Sequence, residues 1–152
     1  MNISGQLDRI DRKILTELQA EGRLPITGLA ERVGLSKTPC QQRVKRLEEA
    51  GYIRGYAALL DLEKLGAGHV VFVEVKLNDT RAQALAAFNK AVLRLPEVEQ
   101  CHMIAGDFDY LLKVRTRDIA EYRRVLGEAL SALPHVANTS TFVVMESVKE
   151  RV

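Results

Sequence analysis

Between Ser36 and Leu47 the chain collects hydrogen-bond donors and cations: Ser36, Lys37, Thr38, Gln41, Gln42, Arg43, Lys45 and Arg46. The first acid arrives only at Glu48. Such a set suits a polyanion that also displays base edges. The carboxamides of Gln41 and Gln42 can pair with adenine, and the guanidinium groups of Arg43 and Arg46 with guanine or phosphate. Ser36, Lys37, Thr38 and Lys45 suit phosphates, contacts that fix register rather than sequence. Arg43 has a second use, because beside Val44 it can brace the first helix through Asp8 or Asp11. A second constellation is Gly106-Asp107-Phe108-Asp109. Paired carboxylates could serve a metal or acid–base chemistry. No third ligand, nucleophile or patterned histidine accompanies them, so neither a metal nor catalysis is expected. The plain reading is a turn, in which glycine supplies positive φ and aspartate bonds its own backbone.

The donor-rich stretch lies in the second of two short apolar-periodic segments joined by Gly34-Leu35-Ser36. Two helices joined by a tight glycine-containing turn make a helix-turn-helix, whose second helix enters a DNA major groove. The plain alternative is an amphipathic core helix with solvated charges, which composition alone would favour. The turn spacing and the acid-free face argue for DNA. Leu7, Ile10, Ile14, Leu15 and Leu18 predict a preceding helix over 8–20. The next helix follows Pro25, with Leu29, Ala30 and Val33 inward. Here Thr27 is expected to take an apolar position, and Gly28 costs up to ~1 kcal/mol of helix propensity. Ser36 is a good N-cap for the third helix, its hydroxyl accepting a free N–H. Cys40, Val44 and Leu47 face inward.

Tyr52 to Leu60 reads as extended, a short wing or connecting strand. The predicted domains are 1–52, a linker over 53–68, and 69–152. In the second half HVVFVEVKL (69–77) alternates as a strand. Leu85, Phe88, Val92 and Leu95 mark a helix. Strands over 98–105 and 110–114 follow, then a helix marked by Ile119, Tyr122, Leu126, Ala129 and Leu133, and a last strand over 137–148. The order βαββαβ predicts an α+β, ferredoxin-like unit: a four-stranded antiparallel sheet with its helices on one face. Val71, Val73 and Val75 lie on one side of the first strand, and Val70, Phe72 and Glu74 on the other. Apolar residues on both sides imply a second subunit over the uncovered face.

With 152 residues and a formal net charge of +2, the chain fits one medium or two small domains. So small a charge makes its placement, not its total, the argument for DNA. No apolar run approaches the ~18 residues of a membrane span, and MNISGQLDRIDRK lacks a signal-peptide core. A cytoplasmic protein without membrane contact is expected. Cys40 and Cys101 have no CxxC partner, and His69, His102 and His135 show no ligand spacing, so free thiols and no zinc are expected.

The segments LDRIDRKIL (7–15), VGLSKTPCQQRVKRLE (33–48), GYIRGYAALL (51–60), GDFDYLLKVR (106–115) and TFVVMESVK (141–149) resemble the Lrp/AsnC, or feast/famine, family of transcriptional regulators nearly end to end. The resemblance implies a winged N-terminal helix-turn-helix and a C-terminal ligand-sensing domain, often called RAM. It implies sheet-to-sheet dimers that often assemble into octamers, and amino acids bound between subunits. A zwitterion needs an acceptor for its ammonium, which Asp107 and Asp109 can supply, and donors for its carboxylate. Backbone N–H groups around Gly106, with Thr139 and Thr141, can supply those. Effector-response positions carried over from the family are Met103, Gly106, Asp107, Asp109, Ile119, Phe142, Val143 and Val144. Their apolar members favour leucine or another apolar amino acid. The expected function is amino-acid-gated, sequence-specific binding of double-stranded DNA, with no cofactor beyond the effector. An architectural DNA-compacting protein with little ligand control is the alternative.

Overall fold

Asp8 opens the first helix with a reciprocal capping box: its carboxylate accepts the Asp11 N–H, and Asp11 accepts the Asp8 N–H. The computed structural model describes residues 7–150, and the chain divides into two compact units between Leu59 and Leu60. In the first unit, α1 spans Arg9–Ala20, α2 Ile26–Val33 and α3 Lys37–Glu49. Ile14, Leu29, Ala30, Val33, Cys40 and Leu47 form its buried core. Gly34 closes α2 at φ 78°, donating to Glu31 O at 3.3 Å while Leu35 N–H donates to Ala30 O at 2.9 Å. This Schellman arrangement redirects the chain into α3.

Local expectations are corrected at Thr27, Ser36 and Tyr52–Leu60. Thr27 is exposed, and Ile26 packs against the core in its place. Gly28 has a packing role, since a Cβ there would crowd Leu24 Cδ1 at 3.3 Å. Ser36 occupies the N-cap of α3 with extended backbone but makes no side-chain cap bond. Pro39 stands at the third helical position, so one of the two N–H groups such a cap could bind does not exist. Tyr52–Leu60 pairs with no strand among the described residues, because the first unit offers no sheet edge. Tyr56 instead returns to α3, its hydroxyl donating to Glu48 at 2.8 Å.

The second unit holds β1 (His69–Leu77), α4 (Ala82–Val92), β2 (Val98–Met103), β3 (Tyr110–Thr116), α5 (Ile119–Val125) and β4 (Val136–Val143). The antiparallel sheet has the order β2-β3-β1-β4, as the βαββαβ pattern predicts. Val71, Val73 and Val75 pair with Val114, Leu112 and Tyr110 and point into the core, where Phe88, Val92, Tyr122 and Val125 bring both helices onto that face. Phe88 and Tyr110 rings lie 4.3 Å apart. After Val125 a π-helical turn (Leu126–Leu130) interrupts the single long helix expected, marked by Ser131 N–H to Leu126 O at 2.9 Å. β4 ends at Val143, short of the expected Val148, because β1, its only partner strand, begins at His69 and the ladder stops at Val71. Among the described residues no helix is long and apolar enough to cross a membrane.

Candidate nucleic-acid interface and effector site

Because α3 buries Cys40 and Leu47, helical periodicity turns Lys37, Thr38, Gln41, Gln42 and Lys45 outward together, and all are exposed. Lys37, Gln41 and Lys45 form one row at four-residue spacing, with Thr38 and Gln42 beside it. Ser36 adds an exposed hydroxyl at the helix N-terminus, where unpaired N–H groups and the positive end of the helix dipole favour a phosphate. Lys45 also approaches Glu49 at 3.7 Å, an exposed pair of little strength.

The two arginines of this helix point elsewhere. Arg43 Nη1 donates to Asp8 Oδ2 at 2.5 Å and Asp11 Oδ1 at 2.9 Å, and Arg46 Nη2 donates to Asp11 Oδ2 at 2.6 Å. The bracing use of Arg43 is therefore present in the structure, and Arg46 shares it. Donation to the carboxylate of Asp8 and then to that of Asp11 raises the Arg43 pKa further. The Asp11 N–H and then Arg43 hold the Asp8 carboxyl below its usual value. The sequence pointed to Asp8 or Asp11 as the partner of Arg43, but not to Asp11 as the partner of both arginines. The signal was the acid spacing of LDRID against the two arginines three apart on α3.

In the second unit, Asp109 immediately precedes β3, an inner strand of the sheet. Its N–H donates to Val75 O at 2.9 Å, its carbonyl accepts from Ile104 N–H at 2.8 Å, and its carboxylate accepts the Leu77 N–H at 2.7 Å. That last bond sits where the β1–β4 register slips between Lys76 and Leu77. Asp109 thus bonds a strand it touches across the sheet, rather than its own turn. Gly106 does not have positive φ, and a Cβ on it would meet Ile104 Cγ2 at an ordinary 3.6 Å. The left-handed turn expected of it is absent, the tie from Ile104 to Asp109 closing the loop instead.

Asp107 is exposed, and its carboxylate accepts no hydrogen bond among the described residues. It lines a cavity of about 150 Å³ with Glu74, Lys76, Phe108, Asn138 and Ser140. Lys76 Nζ donates to the Asp107 carbonyl at 2.7 Å. Lys76 pairs with Asn138 and Glu74 with Ser140, so the cavity opens on the sheet face without helices. Thr139 and Thr141 pair with Val75 and Val73 and belong to the opposite, helix-covered face, where Thr141 meets the Tyr122 hydroxyl at 2.6 Å. The structure does not bring these threonines to Asp107. Glu74, Lys76, Asn138 and Ser140 occupy the place assigned to them. Register decides this, since one residue of slip exchanges the faces of a strand.

Met103, Phe142 and Val143 are exposed large apolar residues, and Val144 is half-buried with its N–H on Val70 O. Phe142 pairs with Phe72 on the open sheet face. Ile119 lies apart, lining a shallow groove of α5 with Arg123, Arg124 and Gly127. Elsewhere on the open face, Lys113 is paired with Glu99 and Glu150, and Arg115 with Glu99. Burial pushes the Glu99 carboxyl up, but Arg115 and Lys113 outweigh it and hold the group below its usual value. Cys40 is buried and Cys101 half-buried, both free, and burial raises both thiols.

Residues 7–54 match a family model of winged helix-turn-helix DNA-binding domains, and residues 70–152 match that of the Lrp/AsnC ligand binding domain. A proline dehydrogenase transcriptional activator of Rhizobium radiobacter is 63% identical, the match covering 95% of this chain and 92% of that protein. The leucine-responsive regulatory protein of Escherichia coli is 54% identical over 95% of this chain and 88% of its own. A transcriptional regulator of Neisseria meningitidis, solved in complex with L-Met, superposes with a TM-score of 0.91 at 36% identity, covering 96% of this chain and 94% of that one.

Proposed function

The chain belongs to the Lrp/AsnC family of transcriptional regulators, and from that premise we propose that it is an amino-acid-responsive regulator of amino-acid catabolic genes. The observation that carries the DNA half is the face of α3: Lys37, Thr38, Gln41, Gln42 and Lys45 exposed together on the side opposite Cys40 and Leu47. Gln41 and Gln42 read bases, while Ser36, Lys37, Thr38 and Lys45 hold phosphates. Gln42→Ala should lower the preference for DNA upstream of the chain's own coding sequence over random DNA. Lys45→Ala should weaken both equally and flatten the salt dependence by about 0.9 in slope. Equal effects of the two substitutions, on affinity and on slope, would refute this division of roles.

The effector is a small amino acid. The cavity beside Asp107 supports this, with carboxylates for an ammonium and a lysine, an amide and a hydroxyl for a carboxylate. Asp107 and Glu74 take the ammonium; Lys76, Asn138 and Ser140 take the carboxylate. Phe108 at the cavity and Phe142 on the same open face suit an apolar side chain, whereas register turns Met103 and Val143, paired with Tyr110 and Val71, to the other face. Because the cavity opens on the helix-free sheet face, a second copy of the chain completes it, and occupancy then biases assembly. The names of the relatives make proline, leucine and methionine the first three ligands to test. Thermal melts with each, followed by sizing and DNA titration, should show one that raises the melting temperature and alters assembly or DNA affinity. No response to any of the twenty amino acids would favour an architectural protein that compacts DNA without ligand control.

A further inference from the structure

We infer that Asp11 is a specificity-determining positioning residue: it holds Arg43 and Arg46 away from DNA, leaving base-reading amides to dominate the face of α3. The inference rests on the reading that this face meets DNA. Asp11 is only 2% exposed, and a carboxylate is almost never so buried unless paired. Its two oxygens are fully engaged. Oδ1 accepts from Arg43 Nη1 at 2.9 Å, and Oδ2 accepts from Arg46 Nη2 at 2.6 Å and from the Asp8 N–H at 3.2 Å. Asp8 adds a second carboxylate to Arg43. Two acids and two arginines thus form a neutral cluster joining the start of α1 to the middle of α3.

The consequence lies in what remains for phosphate. Between Lys37 and Leu47, α3 carries four cations: Lys37, Arg43, Lys45 and Arg46. The cluster takes two of them. Arg46 is still 57% exposed at its side chain, so a phosphate could compete for it. Surrendering it would leave a buried carboxylate without one of its two cationic partners, which is strongly unfavourable. Free arginines on this helix would raise affinity for any duplex, because phosphate contacts carry no sequence information. Sequestering them keeps non-specific binding weak and lets Gln41 and Gln42 decide between sites.

The test measures binding of the full chain to its upstream DNA and to random DNA across a salt series. Arg46→Gln should leave the slope of log K against log salt unchanged on both DNAs. A slope flattened by about 0.9 would show Arg46 on a phosphate and overturn the inference. Asp11→Asn keeps shape while removing charge. It should steepen the slope by about 0.9 per phosphate gained and reduce the preference for upstream over random DNA, and the double variant Asp11→Asn/Arg46→Gln should restore the slope. A folded Asp11→Asn protein with the original slope and preference would overturn it as well; if that variant does not fold, Arg46→Gln alone decides. Failure of the underlying reading looks different: Gln42→Ala and Lys45→Ala would then leave binding untouched.

Discussion

Replacing the two turn aspartates one at a time separates a residue that holds the sheet from one proposed to meet ligand. Asp109→Ala removes the acceptor of the Leu77 N–H, a 2.7 Å bond to a carboxylate at a register slip next to the buried Leu77 side chain. Hydrogen bonds to charged groups contribute about 1.5–3 kcal/mol, and an N–H left without a partner costs a similar amount. At roughly 4–8 °C per kcal/mol for a unit of this size, the second unit should melt on the order of 10 °C lower. Asp109→Asn keeps an acceptor oxygen and should recover most of that loss. Asp107→Ala should do the reverse. Its carboxylate accepts no bond among the described residues and is exposed, so stability should stay within about 0.5 kcal/mol. The ligand response should vanish, whereas the unmodified protein gains about 2.7 kcal/mol at a hundredfold excess over Kd. Scanning calorimetry with and without the amino acid identified by the melt screen measures both. An Asp107→Ala protein that melts as low as Asp109→Ala, or one that keeps the full ligand shift, would refute the division.

Gly34→Ala should destabilise the first unit by about 1–2 kcal/mol in urea melts, purely from its φ of 78°, because a Cβ there meets nothing within 4 Å. Phe88→Ala should cost about 3–5 kcal/mol, since the ring is fully buried against Tyr110. Burial, and then its bond to Glu48, push the Tyr56 phenol up to about 12. The folded value lies above the unfolded one near 10. The neutral phenol therefore stabilises fully below that pH, and its contribution fades as pH climbs from about 10 toward 12. Stability measured over that window should fall less steeply in Tyr56→Phe, and an identical fall would contradict the assignment.

Fold and site were legible to different depths, for physical reasons. Alternation along 69–77 separated Val71, Val73 and Val75 from Val70, Phe72 and Glu74 without knowledge of any neighbour, because a strand carries its own face pattern. Helix α3 likewise showed its inner face through Cys40 and Leu47, which fixed what must point outward. Features that depend on a partner were harder to read. Ser36 has the chemistry of an N-cap, but Pro39 removes one of its two donors. Tyr52–Leu60 has strand composition but no strand to pair with among the described residues of the first unit. Thr139 and Thr141 sit in a segment whose sequence gives no strong alternation, so their face follows only from the register against β1, which slips between Lys76 and Leu77. The slip leaves Leu77 N–H to Asp109, while the regular register before it pairs Lys76 with Asn138 and Glu74 with Ser140, the strand residues that line the cavity with Asp107. The proposed effector pocket is therefore a product of strand pairing more than of the GDFD motif. By the same argument, a change that turns Asn138 to the other face, such as deletion of Thr139, should scatter the pocket while leaving the face of α3 intact. Loss of amino-acid response with retained DNA affinity is the expected result, and an unchanged response would show that the turn alone makes the site.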